Sequence, residues 1–259
     1  MNLAEIGEFE LIRRITGKLV GAGGAGGGPN CLLGPGDDAG VVRSWDGRVV
    51  VTTDVLVDGR HFRRDWARPQ DIGHRAAAAN LADVVAMGAV PTALLLALCG
   101  PPDLDVAWVE QFAEGLAEEA GLVGAGVVGG DISASPTLTV AVTALGDLQG
   151  ADPVLRTEAR PGDRVALAGR LGYAAAGYTV LSRGFRSPKV LVDAYRRPVV
   201  PYHAGPEAAR LGATAMIDVS DGLLADLGHI AAASAVGIDL VRDALEVPKQ
   251  MRDAASALG

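Results

Sequence analysis

The chain has 259 residues, 49% hydrophobic, 21% charged and 4% aromatic, the balance of a folded globular protein, which excludes a disordered or fibrous one. Its 23 Lys and Arg stand against 31 Asp and Glu, a formal net charge of −8. The diffuse attraction behind phosphate-backbone or anionic-membrane binding is therefore missing, and neither nucleic acid nor a membrane is expected as a partner. With 35 Gly and 14 Pro the chain is rich in tight turns, which points to an α/β protein rather than a helical bundle.

The opening MNLAEIGEFE is acidic where a secretion signal needs basic and then apolar residues, and Cys31 and Cys99 match no zinc or redox spacing. A cytoplasmic location is expected. Residues 8–20 place Phe9, Ile12, Ile15 and Leu19 at helical spacing, before GAGGAGGGPN, which holds no regular structure. GAGGAG satisfies the letter of a dinucleotide loop, but it follows a helix and no strand precedes it.

Residues 49–54 (VVVTTD) read as a strand ending in an acid, 71–88 as a helix, 92–99 (TALLLALC) as a buried strand and about 105–121 as a second helix. GVVGGD and TLTVAVTALG follow as two strands separated by a turn that holds Asp131, Ser133 and Pro136. Turn formers from Gly146 to Asp163 mark a boundary between an N-terminal domain, 1–148, and a C-terminal α/β domain, 149–259. Beyond it, RVALAG reads as a short strand, LGYAAAGYTVLSRG as a helix, RRPVVPYHAG as a proline-broken connection, and TAMIDVSDGLLADLGHIAAAS as a strand running into a helix.

Acids recur at one kind of place. Asp54 closes an apolar strand, Asp131 closes VVGG, and Asp218 closes AMI just before the helix that Asp221 begins. Asp37 and Asp38 share a Gly-Pro-Gly turn, and Asp83 lies three residues after Asn80 on a helical face. Any one of these serves well as a turn former or helix cap. Several carboxylates gathered at one edge repel unless divalent cations compensate them, and oxygen-only ligands point to magnesium. No P-loop motif occurs, and Ser133 and Ser220 have no readable histidine partner for acyl transfer.

The segments GDDAG (36–40), VTTDVLVDGRHF (51–62), AAANLADVVAMGAVP (77–91), GGDISASP (129–136), RPGDRVALAGRLGYAAAG (160–177) and IDVSDGLLADLGHI (217–230) resemble, in order, the signatures of the thiamine-monophosphate kinase family. That family belongs to the aminoimidazole ribonucleotide synthetase superfamily. The resemblance implies a two-domain fold with mixed sheets and ATP-dependent phosphorylation of thiamine monophosphate, with several magnesium ions held between the two phosphate groups. It also implies a homodimer. Carried over by motif, Asp38, Thr53, Asp54, Asp83, Asp131, Asp218 and Asp221 would hold magnesium, with Asp54 and Asp131 central to catalysis. Gly130, Asp131, Arg156 and Ser220 would contact ATP, and His61 would meet the thiamine phosphate.

Three departures stand out. The family's P-x-P-R segment is RRPVVPY here, Ile132 and Ser133 replace threonines after GGD, and the sequence stops at Gly259, ahead of the family's G-G-E-D-Y-E-L segment, so the second domain is expected to be incomplete. The rival readings are another superfamily member, such as selenophosphate synthetase, and a non-catalytic nucleotide-binding module.

Overall fold

The computed structural model describes residues 1–6, 8–21, 28–34 and 39–258. A short helix α1 (Leu3–Ile6) leads into α2 (Glu8–Gly21). Of the apolar residues on α2, Leu11 and Ile15 reach the core and Leu19 packs against it, while Ile12 faces solvent. The buried stripe thus starts one residue ahead of Ile12, on the i, i+4 row that a helix presents to one neighbour. Strands β1 (Cys31–Leu33) and β2 (Val41–Val42) form a small antiparallel pair.

The main sheet is built from β3 (Val50–Val57), β4 (Val90–Gly100), β5 (Gly126–Ala134) and β6 (Thr139–Asp147), in the order β3-β6-β4-β5. β6 runs antiparallel to both neighbours, whereas β4 and β5 are parallel, joined through a helix as parallel pairing requires. Hence β5 and β6, adjacent in sequence, are separated by β4. Both acidic strands run past their acids: β3 continues to Val57 and β5 to Ala134, so Asp54 and Asp131 lie within strands rather than at their ends. The cause is the neighbouring strand in each case: β6 supplies β3 with ladder partners out to Val57↔Thr139, and β4 supplies β5 out to Gly100↔Ala134.

Helices α3 (Pro69–Ala86) and α4 (Val106–Gly121) cover one face of this sheet. α3 starts with Pro69 at its first position and the Asp71 carboxylate on the Arg68 backbone, and Asp105 caps α4 through Ala107 N at 3.0 Å. Ile72, Leu81 and Val84 of α3 meet Val109, Phe112 and Leu116 of α4 and Leu94, Leu96, Val140 and Val142 of the sheet. The two helices cross closely: a Cβ on Gly73 would sit 2.1 Å from Phe112 O, and one on Gly115 the same distance from Gln70 O.

After Asp147 the described residues contain helices but no strand. RVALAG has no ladder partner, with Val165 and Leu167 exposed, and residues 214–219 are likewise not a strand. Apolar, β-branched composition is not enough for a strand; the ladder needs a second chain segment alongside. Helices α5 (Tyr173–Ser182), α6 (Lys189–Arg196), α7 (Ala204–Arg210), α8 (Leu223–Ser234) and α9 (Lys249–Leu258) make up this half. α5 and α6 share a second core with Trp66, Leu191 and Tyr195, and α7 lies so close to α3 that a Cβ on Gly205 would meet Val85 O at 1.9 Å. No helix of the described residues is long and apolar enough to cross a membrane.

Candidate active site

The register of the main sheet sorts its side chains onto two faces. Thr52, Asp54 and Leu56 pair with Ala144, Val142 and Val140, whose side chains are buried under the helices, so all six share the helix-covered face. There the Thr52 hydroxyl donates to Asp83 at 2.8 Å, and Asn80, one turn earlier on α3, accepts from Asp54 N at 3.0 Å. The i, i+3 spacing of Asn80 and Asp83 thus ties α3 to the outer edge of β3.

Asp218 approaches this group from the second half. Burial, followed by the charges of Asp83 and Asp226, pushes its carboxyl up to about 6, with Arg156 acting in the opposite sense. Burial likewise raises Asp83, as does the charge of Asp54, against the Thr52 hydrogen bond and Arg156. Arg156 is held by its own carbonyl, which accepts from Ser234 Oγ at 2.7 Å on α8. Asp54, Asp83, Asp218 and Arg156 therefore form one electrostatic neighbourhood assembled from both halves, with more negative charge than its arginine offsets.

Asp131 does not join them within one chain. It pairs with Ala97 on the uncovered face, three strands away from β3, about 14 Å across at the usual strand spacing. Thr53 also lies on that face, its hydroxyl donating to Val142 O at 3.0 Å and accepting from Thr143. Gly130 has backbone in place of a side-chain neighbour: a Cβ there would fall 2.0 Å from Leu96 O. Ser220 and Asp221 are exposed just ahead of α8. His61 accepts from Val57 N at its Nδ1 (3.0 Å), which leaves Nε2 to carry the ring proton. On either side of His61 in sequence, Asp58, Gly59, Arg63, Arg64 and Asp65 line a shallow cavity of about 360 Å³. Asp38 lies outside the described residues.

Sequence reasoning missed Asp226. Its carboxylate is buried and accepts from Ser220 N, Asp221 N and Gly222 N. The available signal was a helix start at Gly222, which has no side chain to cap it, followed four residues later by an acid.

A model of the AIR synthase related protein N-terminal domain matches residues 36–148. The thiamine-monophosphate kinase of Mycobacterium tuberculosis is 46% identical over 260 residues, covering 100% of this chain and 76% of the relative. The chain belongs to the thiamine-monophosphate kinase family. The enzyme of that name from Corynebacterium glutamicum is 42% identical over 267 residues, covering 100% of this chain and 77% of its own. Among solved structures, AaThiL complexed with AMPPCP and TMP superposes with a TM-score of 0.77 at 32% identity, covering 100% of this chain and 80% of that one. The mixed α/β fold expected from the sequence is therefore the family's fold, and the family is one of phosphotransferases.

As a fit to magnesium, the donor set of the neighbourhood is all oxygen, and its crowded carboxylates carry an excess of negative charge. No three His, Cys, Asp or Glu side chains among the described residues are already gathered as a metal cage. Magnesium is commonly held by one or two carboxylates, with water and substrate phosphate completing its shell.

Proposed function

We propose that this chain transfers the γ-phosphoryl group of ATP to the phosphate of thiamine monophosphate, giving thiamine diphosphate, by direct in-line transfer with several magnesium ions. The observation that carries the reading is the convergence of Asp54 and Asp83 from the first half with Asp218 and Arg156 from the second, in a chain of this family. The acceptor is a phosphate monoester whose second pKa is about 6, so it arrives ionised and needs no general base. The transfer instead requires two anions held in line and their charge offset.

Asp38, Thr53, Asp54, Asp83, Asp131, Asp218 and Asp221 are the residues that would hold magnesium, which when bound neutralises charge on the phosphates. In this reading Arg156 and the Ser220 side chain contact ATP from one copy, Gly130 and Asp131, which lie on the uncovered sheet face, do so from the second copy of a homodimer, and His61 presents Nε2–H to the thiamine phosphate. The halves 1–148 and 149–259 act as separate domains, with the reaction between them.

The uncovered sheet face supports a homodimer. Val51 (63% exposed), Val55 (47%) and Leu95 (37%) stand on it beside Asp131, an apolar strip that a second copy would cover. A cytoplasmic location completes the reading.

ADP release measured with and without thiamine monophosphate tests it. Release that depends on this acceptor, with thiamine diphosphate formed in equal amount, is the expected result. ADP release indifferent to it would mark another member of the superfamily, and nucleotide binding with no release would mark a binding module.

A further inference from the structure

The turn that leads into α8 is held by a residue inside the helix. Gly222 sits at the cap position with φ of 119°, a conformation that side-chain-bearing residues rarely adopt, and no residue ahead of the helix caps it through a side chain. One oxygen of Asp226, a residue only 3% exposed, accepts from three consecutive amides of the turn that leads into the helix: Ser220 N at 3.0 Å, Asp221 N at 3.2 Å and Gly222 N, at the cap position, at 3.1 Å. Three amides converging on one oxygen form the kind of concavity in which proteins bind phosphate or carboxylate. In this chain it is filled by the protein's own carboxylate.

We infer that Asp226 is a positioning residue for the nucleotide: it fixes the Ser220–Gly222 backbone in one shape and occupies the amide nest, so that the loop meets its ligand through the Ser220 and Asp221 side chains rather than through its amides. The inference rests on the reading that these two side chains serve ATP and magnesium. Charge-assisted hydrogen bonds from amides to a carboxylate are roughly twice as strong as neutral ones, so loss of the carboxylate releases the loop more than loss of an ordinary cap would. The freed amides then become an anion site that a small carboxylate can enter.

The experiment compares wild type, Asp226→Ala and Asp226→Asn. Asp226→Ala is expected to raise the KM and Kd for Mg-ATP by about tenfold, equivalent to about 1.4 kcal/mol, with the KM for thiamine monophosphate unchanged. Acetate or formate should restore much of the ATP affinity to this variant and leave wild type as it was. Asp226→Asn, which keeps shape and one acceptor oxygen, should fall between the two. Amide hydrogen exchange at residues 220–222 should be slow in wild type and speed up in both variants, with the main sheet unaffected.

Wild-type ATP affinity in Asp226→Ala would overturn the proposal, as would acetate raising its melting temperature without restoring ATP binding, the signature of a merely structural role. If the alanine variant does not fold, unchanged ATP affinity in the asparagine variant overturns it, and so does fast exchange of the three amides in wild type. A wild type that binds Mg-ATP but releases no ADP with thiamine monophosphate would defeat the proposed reaction alone, because calorimetry and hydrogen exchange read the role of Asp226 without turnover.

Discussion

Tyr202 donates its hydroxyl to Glu119 Oε1 at 2.5 Å, and the other oxygen of the same carboxylate meets His74 Nδ1 at 2.7 Å. Tyr202 belongs to the proline-broken connection of the second half, while His74 and Glu119 lie on α3 and α4 of the first. The pair therefore fastens one half to the other, beside the ion pairs that the buried Asp71 carboxylate makes with the more exposed Arg68 and Arg197.

Tyr202→Phe should destabilise the protein by about 1–3 kcal/mol, because it leaves one oxygen of a buried carboxylate without its donor. For a chain of this size that corresponds to a fall in Tm of about 2–4 °C per kcal/mol, which calorimetry reads directly. A Tm equal to that of wild type would show that the connection is held by its other contacts.

Stability should depend on pH through His74. Its hydrogen bond to Glu119, helped by Glu118 and opposed by burial, raises its pKa in the folded protein. A raised folded value means that the folded state binds the proton more tightly than the unfolded chain. The stabilisation is complete below the unfolded value of about 6.5 and is lost as pH rises through the folded one. Urea unfolding across that interval should show the decline in wild type and a flatter profile in His74→Gln.

Neutralising the acidic neighbourhood should separate activity from stability. Asp54→Asn, Asp83→Asn and Asp218→Asn are each expected to lower turnover by about two powers of ten or more, the cost of one preorganised electrostatic contact, and to raise the magnesium requirement. EDTA should abolish wild-type activity, and magnesium or manganese should restore it. Without metal at pH 7, Asp218→Asn should be more stable than wild type by on the order of 1–2 kcal/mol, because its carboxyl titrates near 6 among like charges rather than near the ordinary value. Asp103→Asn, in a polar connection, should change neither quantity.

Val55→Glu tests the uncovered sheet face. A charge in the middle of an apolar interface costs more than a dimer of ordinary affinity withstands, so sedimentation should shift from two copies to one while the sheet stays folded. Leu122→Glu, exposed at the end of α4, should leave the assembly unchanged.

Sequence by itself determined the elements whose periodicity is strong and whose partners are local. α3 could be read with Asn80 and Asp83 on one face, and the main strands stood out by β-branched runs, because helix and strand periods are written into neighbouring residues. The motifs marked Asp54, Asp83 and Asp218 as magnesium ligands together with Asp38, Thr53, Asp131 and Asp221, and assigned Arg156 separately to ATP. Only the tertiary structure decided which face each acid occupies: the register of the strands turns Asp54, exposed at the sheet's edge, to the helix side and Asp131 to the open side. It also decided that RVALAG stays unpaired, that α6 forms at all, and that Asp226 reaches back to three amides. Pairing, facing and capping across a turn depend on which distant segment arrives alongside, and that is set by packing of the whole chain rather than by any local period.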